Sequence, residues 1–170
     1  RYSSVTGVQT CALPICKKNF TIILNNGKVL FAVAEKVYEA DAADMKEVFE
    51  NVSVPKTANN AKNDIKALNE MGIGYEGLSF DTAIATYILN PAENDFSLSH
   101  ICSLYLGAEA DEAGQAAGLE KIAEIQSREM AKNGQEQLYF DIELPLITVL
   151  ASMEIAGFRV DRNMLSEFSE

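Results

Sequence analysis

Short segments rich in β-branched and aromatic residues open the patterned part of the chain. Two such segments, residues 19–25 and 28–34, flank the dipeptide Asn26-Gly27. An Asn-Gly pair between two apolar runs is typical of a two-residue β-hairpin, because both residues tolerate positive φ angles. We therefore predict an antiparallel hairpin over these residues.

Helical spacing of apolar residues dominates after the hairpin. Candidate N-caps at Asp41, Asp81 and Ser97, and stop signals at glycine or proline, define the helix ends. The predicted helices cover residues 41–51, 60–71, 81–90, 97–107, 119–133 and 144–153, with a last one beginning at 161. Short strands are predicted over residues 52–58 and 78–80. Interleaved strands and helices indicate an α/β or α+β fold.

The segment between residues 108 and 118 contrasts with these elements. It is rich in Ala, Gly and acidic residues and offers little to bury, so we predict a linker or loop there. In the helix that follows, Glu124 and Arg128 are spaced for an ion pair across one turn.

Charge and composition limit the possible partners. The chain of 170 residues has a formal net charge of −11 and shows no basic stripe. This argues against tight DNA binding by the chain alone, since such binding depends on Lys and Arg contacts to phosphates. No apolar run approaches the roughly 20 residues that span a bilayer, so no membrane partner is expected.

Cysteine and histidine are too few and too scattered for a zinc site. Cys11, Cys16 and Cys102 form no CxxC pair, and His100 is the only histidine. Neither zinc nor a disulfide framework is expected, and a reducing cytoplasm is the predicted location.

The first sixteen residues do not fit the rest of the chain. The sequence "VTGVQTCALPI", residues 5–15, resembles a translated sequencing adapter. We expect residues 1–16 to be foreign to the fold and the natural protein to continue upstream of Lys17.

Two long blocks of sequence carry a family resemblance. "GLSFDTAIATYILNPAENDFSLSHICSLYLG", residues 77–107, and "LYFDIELPLITVLASMEIAGFRVDRNMLSEFSE", residues 138–170, resemble family A DNA polymerases of the bacterial DNA polymerase I type. The resemblance implies a ribonuclease-H-like 3′-to-5′ exonuclease domain over residues 17–134 and the start of a polymerase domain over residues 135–170. It also implies that the first strand of the exonuclease fold lies upstream of Asn19 and that the protein is a monomer in the bacterial cytoplasm, associated with the nucleoid.

The same resemblance implies a specific metal chemistry. Such exonucleases hold two divalent ions with carboxylates from three places: an Asp-x-Glu pair on a strand, an Asp on a helix and a late-helix Tyr-x-x-x-Asp. Two metal ions then clamp the attacking and leaving oxygens of the phosphodiester. Asp64, in "NAKNDIKAL", matches the helix aspartate and is the one vestigial candidate for catalysis or metal binding.

The other two places are not matched. The strand pair falls where the adapter-like residues stand, and Glu39 and Asp41 are interpreted as surface charge and a helix cap. The late-helix motif is absent from residues 109–126, while Tyr139 and Glu143 are interpreted as packing and surface residues.

The resulting hypothesis is a fragment of a DNA polymerase with a degenerate proofreading domain. The complete polymerase would use Mg²⁺ and bind DNA, whereas no cofactor is expected on this inactive fragment. Two alternatives stay open. In the first, Asp111 or Glu112 joins Asp64 in a live exonuclease, and in the second the chain is a non-enzymatic acidic interaction module.

Overall fold

The computed structural model describes residues 3–4, 20–33, 36–107 and 110–159. The strands are β1 (Ser3–Ser4), β2 (Phe20–Asn25), β3 (Lys28–Val33), β4 (Lys36–Asp41), β5 (Lys56–Ala58) and β6 (Leu78–Asp81). The α-helices are α1 (Lys46–Phe49), α2 (Ala61–Glu70), α3 (Thr82–Leu89), α4 (Leu98–Leu106), α5 (Glu112–Asn133), α6 (Glu136–Leu138) and α7 (Leu144–Ala156). A 3₁₀ turn, Ala42–Met45, precedes α1, and a π-helix, Tyr139–Glu143, joins α6 to α7.

The predicted hairpin is confirmed. Strands β2 and β3 pair antiparallel, and the turn residues Asn26 and Gly27 have φ angles of 49° and 78°. A third strand, β4, continues the antiparallel pairing and was missed by the sequence prediction. Asp41 is the last residue of β4, and as the cap of the 3₁₀ turn its side chain makes no capping hydrogen bond.

The sheet has the order β1-β4-β3-β2-β5-β6. Strand β5 runs parallel to β2, and β6 runs parallel to β5. Strand β5 therefore lies between β2 and β6, while the two-residue β1 pairs with β4 at the far edge. Among the described residues, the strand upstream of Asn19 is β1, at the edge of the sheet.

Two faces of the sheet are covered by different helices. Side chains alternate across a strand, and Phe20 and Ile22 of β2 belong to the same buried cluster as Leu68 of α2 and Ile147 of α7. Thr21, between them, donates a hydrogen bond to the carbonyl of Ala116 in α5 at 3.4 Å. Helices α2 and α7 thus cover one face, and α5 crosses the other.

The predicted linker over residues 108–118 is wrong from residue 112 onward. Helix α5 already begins at Glu112, where the Asp111 carboxylate accepts a hydrogen bond from the amide of Gly114 at 2.9 Å. A Cβ atom on Gly118 would lie 2.7 Å from Leu106, so this glycine lets α5 approach α4 closely. Packing against α4 and the sheet outweighs the low helix propensity of these glycines.

Most predicted helix ends are confirmed. Ser97 caps α4 through the amide of His100, and Gly107 and Gly134 end α4 and α5 with φ angles of 71° and 68°. Arg128 donates from Nε to the carbonyl of Glu124 at 3.2 Å instead of forming the expected ion pair with its carboxylate.

Some predictions concern residues outside the described ranges. They include the adapter-like residues 5–15 and the helix expected from Asp161. Within the described ranges, no helix combines the length and the apolar character that crossing a membrane requires.

Candidate functional site

Asp64 lies on the inward face of α2. Together with Ala61 and Leu68 it forms the buried stripe of the helix, and 9% of its surface is exposed. Positions separated by three and four residues share one helix face, so an acidic residue at this spacing must enter the core with its apolar neighbours. An aspartate in the first turn of a helix can be present only because it interacts favourably with the helix dipole, but such a residue would be exposed. Asp64 is buried instead.

The surroundings of Asp64 disfavour a negative charge. Burial, followed by the nearby charge of Asp81, raises the pKa of Asp64 to about 8. The same two carboxylates, after burial, raise the pKa of Tyr75 well above its ordinary value. The Tyr75 hydroxyl is buried and has no hydrogen-bond partner among the described residues. Asp64 therefore lies in a buried polar patch that favours its neutral, protonated form.

Asp81 performs the capping role that its position in the sequence predicts, and a second one besides. Its carboxylate accepts hydrogen bonds from Ala83 and Ile84 at 2.9 and 3.1 Å, which caps α3. It also accepts hydrogen bonds from the amides of Asn60 and Ala61 at 3.3 and 2.6 Å, at the start of α2. Burial raises the pKa of Asp81, while these four amides act in the opposite direction.

Strand β2, which lies between β3 and β5, offers no carboxylate. Strand β2 has the sequence FTIILN, whose side chains are apolar apart from one threonine and one asparagine. Glu39 and Asp41, considered as substitutes, lie on β4, two strands further along the sheet. Glu39 is in an ion pair with Lys28 there, which agrees with the interpretation of surface charge.

The buried face of helix α5 is apolar in its first half. The buried positions of its first half are Ala116, Leu119 and Ile122. Asp111 caps the helix, and Glu112 accepts a hydrogen bond from Asn25 at 3.3 Å. Both acids are on the sheet face opposite α2, and within the described ranges no three His, Cys, Asp or Glu residues come together as a possible metal site.

A cavity of about 640 Å³ lies between α5 and the edge of the sheet. Its lining includes Thr57, Phe80, Glu124, Arg128 and Phe140, but not Asp64 or Asp111. The cavity and the predicted catalytic residues are therefore separate features.

Sequence reasoning did not anticipate the roles of Lys56 and Tyr139. Lys56 is fully buried and donates to the carbonyls of Asn51, Val54 and Glu76 at 3.0, 2.9 and 2.7 Å. Tyr139 is also fully buried, as a packing residue should be, yet its hydroxyl binds the backbone of Asp81. No local pattern signals either contact, because the partners are brought together by the fold.

A family model described as DNA polymerase I, ribonuclease H-like domain, matches residues 17–113. The chain belongs to this family. Among curated relatives, DNA polymerase I of Synechocystis sp. is 30% identical over 150 residues, which cover 73% of this chain and 15% of the relative. DNA polymerase I of Bacillus subtilis is 26% identical over 171 residues, covering 87% of this chain and 19% of the relative. The chain thus spans less than a fifth of these DNA polymerase I proteins.

Solved structures confirm the ribonuclease-H-like exonuclease fold. The POL domain of Pol1 from M. smegmatis, in complex with DNA primer-template and dNTP, matches with a TM-score of 0.77 and 23% identity, covering 88% of this chain and 30% of that one. NrnC from Brucella melitensis matches with a TM-score of 0.71 and 12% identity, covering 94% of each chain. Another structure of NrnC contains bound Mg²⁺. The predicted fold class and DNA polymerase I origin are therefore correct.

Proposed function

We propose that this chain is a piece of a DNA polymerase I whose exonuclease-like domain has lost proofreading and supports the polymerase structurally. In this proposal residues 17–134 form the degenerate domain and residues 135–170 begin the polymerase domain. The longer protein adds nucleotides to a primer on a DNA template with Mg²⁺, at a site outside this chain.

The burial of Asp64 is the observation on which the proposal depends. A two-metal site needs several carboxylate oxygens that face one cleft and the substrate. Asp64 instead shares the inward face of α2 with Leu68, and the carboxylate of nearby Asp81 is already used by four backbone amides. The residues present do not fit a pair of Mg²⁺ ions.

The elements around Asp64 support the same conclusion. Strand β2, which runs parallel to β5, contributes Ile22 and Ile23 among other uncharged residues. The buried face of α5 in its first half carries Leu119 and other apolar residues. Apolar side chains in these positions stabilise the fold but cannot bind ions. Burial of an apolar side chain favours folding, whereas burial of an unpaired charge opposes it.

A nuclease assay tests the proposal directly. The 170-residue chain is incubated with single-stranded DNA labelled at its 5′ end, in Mg²⁺ or in Mn²⁺. We expect no shortening from the 3′ end. Metal-dependent shortening that Asp64→Ala abolishes would overturn the proposal. If Asp111→Asn or Glu112→Gln, each made alone, also abolished the shortening, that residue would be the displaced acid of a live exonuclease.

A second assay tests the structural role in the complete polymerase. Asp64→Ala should leave both primer extension and the error rate unchanged, since no proofreading is lost. Asp81→Ala, which removes the cap of two helices, should lower the thermal stability of the polymerase. An error rate that rises in Asp64→Ala contradicts the proposal, and unchanged stability in Asp81→Ala contradicts the supporting role.

A further inference from the structure

The π-helix between α6 and α7 places Tyr139 against the edge strand of the sheet. The Tyr139 hydroxyl accepts a hydrogen bond from the amide of Asp81 at 2.6 Å and donates one to the carbonyl of Asp81 at 3.1 Å. Among the described strands, β6 is the last on its side of the sheet. One side chain thus satisfies both backbone groups that Asp81 presents at the open edge.

The ring of Tyr139 is fixed as well as its hydroxyl. It is fully buried, and its centroid lies 5.0 Å from that of Phe80 and 4.9 Å from that of Phe140. Since rotation of the ring would need displacement of both neighbours, the hydroxyl is held in place for its two hydrogen bonds.

Asp81 extends this contact to two further helices. Its backbone is bound by Tyr139, while its carboxylate binds the first amides of α2 and α3. The start of α2, the start of α3 and the π-helix are therefore joined through one residue. The hydrogen bonds cross 58 residues on one side of Asp81 and 20 on the other.

The π-helix needs stabilising contacts of the kind that Tyr139 makes with Asp81. Stretches of π-helix are rare because their hydrogen-bond geometry is less favourable than that of an α-helix, and they occur mostly where function requires them. Here the π-helix spans Tyr139–Glu143 and leads directly into α7. Near the other end of α7, Glu154 pairs with Lys62 and Lys66 of α2 at 2.8 and 2.6 Å. Helix α7 is thus tied to the domain near both ends.

We propose that the Tyr139 hydroxyl is a latch that makes the π-helix, the start of α2 and the start of α3 open and close as one unit. A displacement of α7, which the proposed function assigns to the start of the polymerase domain, is then transmitted through Asp81 to the helix of Asp64. This proposal does not depend on whether the domain hydrolyses DNA, because it is based only on the contacts between Tyr139 and Asp81.

Hydrogen exchange of single amides, measured by NMR on the 170-residue chain, tests the latch. In Tyr139→Phe the amide of Asp81 should exchange roughly tenfold faster, because two hydrogen bonds are lost at a buried site. The amides of Asn60, Ala61, Ala83 and Ile84 should follow it. Amides in the middle of α4 should change far less.

Tyr75→Phe is the matched control, since it removes a buried hydroxyl that has no hydrogen-bond partner among the described residues. It should leave exchange around Asp81 unchanged. An equal acceleration in both variants, or an acceleration in Tyr139→Phe that is uniform across α4 and the hairpin, overturns the proposal because it reports general destabilisation.

The unsubstituted chain offers a test that does not require a variant to fold. In low concentrations of denaturant, the amides at Asp81, at the starts of α2 and α3 and in the π-helix should converge on one opening free energy with one denaturant dependence. Separate opening of the π-helix, with Asp81 still protected, overturns the proposal.

Discussion

The carboxyl groups of Asp64 and Asp81 are close enough inside the protein for the charge of Asp81 to raise the pKa of Asp64. Asp81 is compensated by four amide donors, whereas none of the hydrogen bonds found among the described residues involves the Asp64 carboxyl group. Asp64 lacks this compensation, so its surroundings favour the neutral, protonated form.

Asp64→Asn should remove a pH dependence of stability. The pKa of Asp64 is about 8 in the folded chain, against about 3.9 for an unfolded aspartate. Between these values the folded state binds a proton that the unfolded state has released, so the free energy of unfolding falls as pH rises. The stabilising effect of Asp64→Asn should therefore grow from pH 5 to pH 7.5, by up to about 1.4 kcal/mol per pH unit.

Urea titrations at a series of pH values measure this effect. Asp44→Asn, at an exposed position, is the matched control. A difference between Asp64→Asn and the unsubstituted chain that stays constant over the range contradicts the assignment of a proton to Asp64.

Asp81→Ala should be among the most destabilising substitutions in the chain. It leaves four amides of two helices without their acceptor, and we expect a loss of about 3 kcal/mol or more in the free energy of unfolding. Ser97→Ala removes an N-cap with a single hydrogen bond of 3.4 Å and should cost about 1 kcal/mol. Equal losses in the two variants, measured by chemical denaturation, would show that Asp81 caps one helix only.

Two glycines with the same backbone conformation should differ in their tolerance of alanine. Gly77 and Gly72 both have φ angles of +71°, but a Cβ on Gly77 would lie 2.6 Å from the carbonyl oxygen of Val54, and one on Gly72 meets nothing within 4 Å. Gly72→Ala should cost about 1 kcal/mol for the φ angle, and Gly77→Ala about 3 kcal/mol or more. Similar melting temperatures for the two variants would disprove the close approach at Gly77.

Lys56→Met should destabilise the chain although methionine suits a buried site. Three carbonyls lose their donor, which we expect to cost about 3 kcal/mol. Burial lowers the pKa of Lys56 to about 8, which means that the buried site disfavours the charged ammonium group. The three hydrogen bonds to carbonyls are therefore what stabilises Lys56 at this position. Lys62→Met, in an exposed ion pair with Glu154, is the control and should cost much less. A neutral Lys56→Met variant in calorimetry would contradict this role.

The sequence correctly predicted turns and helix caps whose hydrogen bonds or backbone angles involve only residues close together in the chain. The Asn26-Gly27 turn and the caps at Asp81 and Ser97 are satisfied within three residues, so the sequence displays them directly. Strand β4 and the first turns of α5 were missed for the opposite reason. Lys36–Asp41 becomes a strand by pairing with β3, and the glycine-rich start of α5 becomes a helix by packing on α4 and the sheet.

The features of the candidate site likewise fall into those that the sequence predicted and those that it could not predict. The sequence identified Asp64 as the one matching helix carboxylate and found no late-helix motif, because residue identity and spacing are visible in one dimension. It could not tell that β5 lies between β2 and β6, since strand order depends on pairings between distant segments.

The sequence by itself determined the family, the fold class and the supply of acidic residues, because these follow from residue types and their periodicity. Only the tertiary structure decided that Asp64 faces the core, that Asp81 caps two helices and that Tyr139 binds the edge of β6. Each of these depends on burial or on a hydrogen bond between segments 20 to 58 residues apart. Such contacts form only when several elements pack together, so no local pattern records them.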